Sequence, residues 1–164
     1  MKPVYLIYQT AITPLGRGLT ENLQAIHAGC SGIAYNKGSQ NYLSEYPVGR
    51  IPDRFFSPNS PSRLTRFDAL LFSMCELLQE ESPIPLNTPD VLIILSTTKG
   101  NVELLESPVD SSAFTLHASA EWLCELLGNP NKPLVVSQAC ISGVSAHILA
   151  HRWLSTEKFK HIVI

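Results

Sequence analysis

Charge is scarce in this chain. Asp, Glu, Lys and Arg make up 16% of its 164 residues, against about a quarter in ordinary soluble domains. More of the surface than usual is therefore expected to be covered by another chain or domain. The basic residues never gather beyond scattered pairs, and twelve Lys and Arg against fourteen Asp and Glu leave a net charge of −2. Nucleic acid and anionic membrane surfaces lose their electrostatic footing as partners. Long apolar runs are missing too: nothing approaches the roughly 18 residues of a membrane-spanning helix. The apolar part of Met1 to Gln9 is too short for a secretory core and has no cleavage-site pattern behind it, so a cytoplasmic protein is expected. The four cysteines, Cys30, Cys75, Cys124 and Cys140, form no C-x-x-C pair. A chain of this size needs no covalent staples, and neither a zinc site nor a disulfide framework is expected.

What the chain has is apolar content, 45% of its residues, ample for the core of one domain over residues 1–164. Val4 to Gln9 is rich in β-branched and aromatic residues and reads as a strand, with the Pro14-Leu15-Gly16 turn soon after it. Thr20 is placed to cap a helix carrying Leu23 and Ile26 that ends near Gly29. From Ser31 to Ser62 the pattern dissolves into Gly, Pro, Ser, Asn and Tyr, a stretch long enough to suggest an interface or functional role. Helical periodicity returns with Phe67, Leu70, Leu71, Met74, Leu77 and Leu78. Asp90 to Ser96 then reads as a strand buried on both faces. A helix from about Ser112 to Leu127, stopped by Gly128, comes next. Pro133 to Ser137 is a short strand, Cys140 to about Ser155 a helix, and His161 to Ile164 begins another strand. Strands and helices alternate, and the strands are continuously apolar, which argues an α/β fold with a largely parallel, covered sheet. Ending on an apolar strand with no cap or polar tail leads us to expect that a further part of the fold is absent.

The chemistry concentrates at Gln138-Ala139-Cys140-Ile141-Ser142-Gly143. Here a cysteine sits where a buried strand turns into a helix. A nucleophile at such an elbow is pushed out past the sheet edge, and the helix dipole and unpaired N–H groups favour a thiolate. The same N–H groups can hold a developing oxyanion. Small residues at Ala139, Ser142, Gly143 and Ala146 let the turn close. The helix behind it carries Ile141, Val144, Ile148, Leu149, Trp153 and Leu154 around much of its circumference, and is expected to be buried inside the domain. On spacing alone a small core cysteine fits as well as a nucleophile, since free cysteine is among the most buried residue types.

A wider pattern favours the nucleophile. The Ala139-Cys140-Ile141-Ser142-Gly143 segment resembles the A-C-x-[ST]-G motif of β-ketoacyl synthases in the thiolase superfamily. Ala11 to Gly16, Asn22-Leu23, and Ala28-Gly29-Cys30-Ser31-Gly32-Ile33 are similar to that family's opening strand, turn and first helix. Arg66-Phe67-Asp68 resembles the start of its next helix, and Asp90 through Asn101 its strand and glycine-containing loop ahead of the nucleophile. The resemblance implies the N-terminal half of a thiolase-like fold, a mixed, largely parallel sheet flanked by helices. It implies Cys140 as the acyl-accepting residue, its N–H as one oxyanion donor, and no metal or cofactor. It further implies acyl carrier protein as the bearer of acyl and malonyl thioesters, a decarboxylative Claisen condensation, and a homodimer joined near Leu134 to Ser137. The family's catalytic histidines belong to a second half, so this chain alone is expected not to condense.

Other features carry less. His147 and His151 lie seven and eleven positions along one helix from Cys140, roughly 10 and 16 Å away, and His27, His117 and His161 match no catalytic histidine of the family. Thr97-Thr98-Lys99-Gly100-Asn101 follows a strand but lacks the phosphate-loop spacing, and is read as a loop near a site mouth or subunit interface. Cys75 and Cys124 are expected in the core, and Glu103, Glu106 and Asp110 on a solvated face. An α/β-hydrolase elbow would need glycines at Gln138 and Ser142. A non-catalytic chain-length or carrier-protein-binding partner of the same fold is the remaining competitor.

Overall fold

The computed structural model describes residues 3–36, 46–61, 64–106 and 114–164. Its centre is a three-stranded parallel sheet of β5 (Val91–Ser96), β6 (Leu134–Val136) and β7 (His161–Val163), in the order β6-β5-β7. The Val91-Leu92-Ile93-Ile94-Leu95 run fills the middle position because all five side chains are buried, as a strand covered on both faces requires. Helix α4 (Ser142–Ser155) covers one face, where Ala146 and Ala150 bring its backbone close to Leu92 and Ile94, with Phe159 completing the cluster. Helices α2 (Arg66–Glu81) and α3 (Leu116–Leu127) serve the other face, placing Cys75 and Leu123 with Val91 and Leu86.

Local chemistry explains the boundaries. Thr65 caps α2 by accepting from the Asp68 N–H at 3.1 Å, and Thr115 caps α3 by accepting from the Ala118 N–H at 3.1 Å. Gly128 ends α3 in the left-handed region at φ 69°, where a side chain would be strained. Buried Asn129 then donates to the carbonyls of Leu86, at 2.5 Å, and Val91, at 3.1 Å, fixing the loop after α3 to the entrance of β5.

The amino-terminal region differs from the sequence reading. Val4 to Gln9 pairs with no strand among the described residues, and Tyr5, Leu6 and Ile7 are 73%, 74% and 57% exposed. Apolar, β-prone side chains do not make a strand without a neighbour to take the backbone N–H and C=O groups. Pairing begins later, in a short hairpin of β1 (Ile12–Thr13) and β2 (Gly16–Arg17), followed by α1 (Leu19–His27). Gly18, not Thr20, occupies the N-cap of α1. Within the stretch read as irregular, β3 (Ala34–Asn36) and β4 (Tyr46–Val48) form an antiparallel pair, and Asp53–Phe55 makes a 3-10 turn. The expected start of α3 at Ser112 lies outside the described residues.

Asn22 holds the hairpin to α1. Its amide donates to the carbonyls of Ala11, Gly16 and Gly18 at 3.3, 3.0 and 2.7 Å, and its oxygen accepts from the Thr13 hydroxyl. Asn22→Ala strands these buried groups and is expected to cost roughly 3 kcal/mol, read as a lower urea midpoint with an unchanged m-value.

Candidate functional site at the Cys140 turn

Strand β6 runs out at the carboxyl edge of the sheet into Ser137 and Gln138, and the chain then reverses into α4. The reversal is strained. Ala139 sits at φ 48°, in the left-handed region that residues with a Cβ seldom occupy. A 3-10 turn, Ala139–Ile141, follows, closed by the Ile141 N–H on the Gln138 carbonyl at 3.1 Å. Buried Ser142 stitches both ends together: its hydroxyl accepts from the Gln138 N–H and donates to the Ala139 carbonyl, each at 2.8 Å. This pair of bonds holds the left-handed residue in place.

Cys140 lies on the outside of this turn and is exposed. A helical turn leaves its first N–H groups without intrahelical partners, and here those belong to Ala139 and Cys140. The arrangement presents a thiol and backbone donors together at the start of α4, the combination that nucleophilic acyl transfer uses. Cys75 and Cys124 are the opposite case. Both are buried, and desolvation is the main cause that pushes Cys75 up to about 12 and Cys124 to about 11, with lesser electrostatic contributions from Cys124 and Glu121 respectively. They are core residues, as their helical context suggests.

Among the described residues no histidine is hydrogen-bonded to Cys140. The His147 Nδ1 donates to the Gly143 carbonyl at 2.7 Å, His117 pairs with Glu121 at 3.1 Å, and His161 lies in β7. Among the described residues no group of three His, Cys, Asp or Glu could hold a metal ion. Of the acidic trio, Glu103 accepts the Arg66 N–H at 2.8 Å, the Glu106 side chain is not described, and Asp110 lies outside the described residues.

Helix α4 corrects another expectation. Its inner side is buried, but Ile141, Val144 and Ile148 are 59%, 63% and 50% exposed. A single three-stranded sheet covers only one stripe of a helix, so the remaining apolar circumference faces outward. Beside it, a groove of about 460 Å³ runs between β6 and α4, with Val135, Gln138, Ser145, Ile148, Leu149 and Arg152 among its walls.

The whole-chain comparison fits this geometry. A solved structure described as the ishigamide ketosynthase/chain length factor superposes with a TM-score of 0.75 at 17% identity, over 93% of this chain and 49% of that one. The fold is ketosynthase-like. It is the thiolase-type arrangement expected from the sequence, and the chain spans about half the length of that neighbour. No family model and no curated protein matches the chain. No helix among the described residues is long and apolar enough to cross a membrane.

Proposed function

We propose that this chain bears a β-ketoacyl synthase type of acyl-transfer site, with Cys140 as the residue that accepts the acyl group from acyl carrier protein. The observation that carries the proposal is the exposed Cys140 on a strained, Ser142-stitched turn between a parallel strand and a helix N-terminus. Its thiolate attacks the thioester carbonyl, the carrier's thiol departs with the proton, and the acyl group stays on sulfur. Condensation would follow when malonyl carrier protein loses carbon dioxide and its carbanion attacks the acyl carbonyl, breaking the bond to sulfur and releasing Cys140 as the thiolate. His147 is bonded to the Gly143 carbonyl, His117 is paired with Glu121, and His27 and His161 lie in α1 and β7, so this chain by itself is expected to stop at the acyl-enzyme. Among the described residues β6 is an edge strand, which supports a homodimer joined along Leu134 to Ser137, since an unpaired edge strand is a ready template for a second strand. A single domain over 1–164, working with a second half of the fold, agrees with the apolar stripe left outward on α4.

The neighbour's description names a chain length factor beside a ketosynthase, so the same likeness supports a non-catalytic chain-length partner. The two readings separate at Cys140. Incubation with cerulenin or an acyl thioester, followed by intact-mass spectrometry, is expected to give one adduct that Cys140→Ala abolishes. Absence of that adduct on the folded chain would sink acyl transfer and leave the chain-length role.

A further inference from the structure

The Thr97–Asn101 loop at the carboxyl end of β5 has no part in the acyl-transfer step above, yet it is anchored at both ends. The Thr97 N–H donates to the Val136 carbonyl at 3.2 Å, which ties the loop to the strand leading into the Cys140 turn. The Thr97 hydroxyl folds the loop onto itself, donating to the Lys99 carbonyl at 2.6 Å and accepting from the Lys99 N–H at 3.2 Å. At the far end Asn101 is buried. It accepts from the Thr65 hydroxyl at 2.5 Å and donates to Asp68 at 3.0 Å and to Ser119 at 3.1 Å. Gly100 is packed so closely that a Cβ there would stand 2.8 Å from the Leu116 side chain. Lys99, exposed between these anchors, has no hydrogen-bonded or ion-paired partner for its ammonium among the described residues.

The charge pattern around it is one-sided. Residues 91–101 and 133–156 contain no Asp or Glu, and their only formal charges are Lys99 and Arg152. Of the nearby carboxylates, Glu103 takes the Arg66 N–H, and Asp68 takes Asn101 on one oxygen while its other oxygen is buried without a partner. Ser96 and Val136 are register partners on adjacent strands, about 4.8 Å apart. Lys99 and Cys140 follow them by three and four residues, on neighbouring loops at the same sheet edge.

We infer that Lys99, held by the anchored loop beside the Cys140 turn, selects acyl groups that end in a carboxylate. The inference rests on the acyl-transfer reading and specifies its substrate class. The covalent step is unchanged: sulfur displaces the donor thiol, which leaves with the proton, and the distal carboxylate takes no part in bond making.

Competition between the adipoyl and hexanoyl thioesters of N-acetylcysteamine, equal in chain length and alike in their neutral donor arm, tests it by peptide mapping of Cys140. Wild-type protein is expected to favour adipoyl roughly fivefold, the scale of one exposed ion pair, and added salt shrinks the preference. Lys99→Met brings the ratio near one while the hexanoyl rate stays as in wild type. Equal labelling by both thioesters in wild type, or a preference that survives Lys99→Met, overturns the selection by Lys99 and leaves acyl transfer standing. Labelling by neither sinks both together.

Discussion

Iodoacetamide at pH 8 is expected to alkylate Cys30 and Cys140 in the folded chain and to leave Cys75 and Cys124 unmodified until the chain is unfolded. Two independent effects act in the same direction. Cys30 and Cys140 are exposed, while Cys75 and Cys124 lie in the α2–α3 core. The attacking species is the thiolate, and a thiol raised to about 12 is ionised to only about one part in ten thousand at pH 8. Peptide mapping against a urea-unfolded control reads the pattern directly, and rapid modification of Cys75 would mean that α2 and α3 part readily. The same burial ties stability to alkaline pH. Cys75 has a folded value above its ordinary 9.0, so the folded form holds its proton longer than the unfolded form. The stability this contributes is complete below about pH 9 and fades as pH climbs toward 12.

Ile94→Ala is expected to lower stability by about 3–4 kcal/mol. Ile94 is 1% exposed and contacts the cluster of Leu92, Ala146, Ala150 and Phe159 from the middle strand, so no side chain can move in without dragging α4. For a chain of this size that loss corresponds to a melting point lower by roughly 10 °C. Because α4 carries Cys140 at its start, the variant also tests how firmly the turn is held. An unchanged melting point would show that the sheet–helix core is not the seat of stability.

The central elements were legible because they are written in local pattern. Five consecutive apolar residues gave β5, the apolar spacing from Phe67 to Leu78 gave α2, and Gly128 gave the end of α3; the cap at Thr65 was not read. The Cys140 turn was legible from its small residues, although not the left-handed Ala139, which no residue type announces. Asn22, Asn101 and Asn129 were missed as organising residues. Their partners come from distant segments, and an asparagine in a helix or loop has the same local signature whether it is buried or solvated. Asn22 had one clue, its place beside Leu23 in an otherwise amphipathic helix. The outward stripe on α4 and the unpaired Val4 to Gln9 were misread for a shared reason. Hydrophobicity states that a surface will be covered, and says nothing about which chain covers it.

The order of the strands in space also governs how the sheet comes into being. β5 lies in the middle, but its neighbours are made later: Leu134 pairs with Ile94, and the Lys160–Asp90 ion pair that flanks β7 spans 70 positions. On the ribosome the Val91–Leu95 run is therefore finished well before either flanking strand exists. Parallel pairing of this kind requires closure of long loops before it returns any contact. During that interval the most apolar segment of the sheet has neither edge paired, and it is there that a nascent chain is most exposed to misassociation and to capture by chaperones.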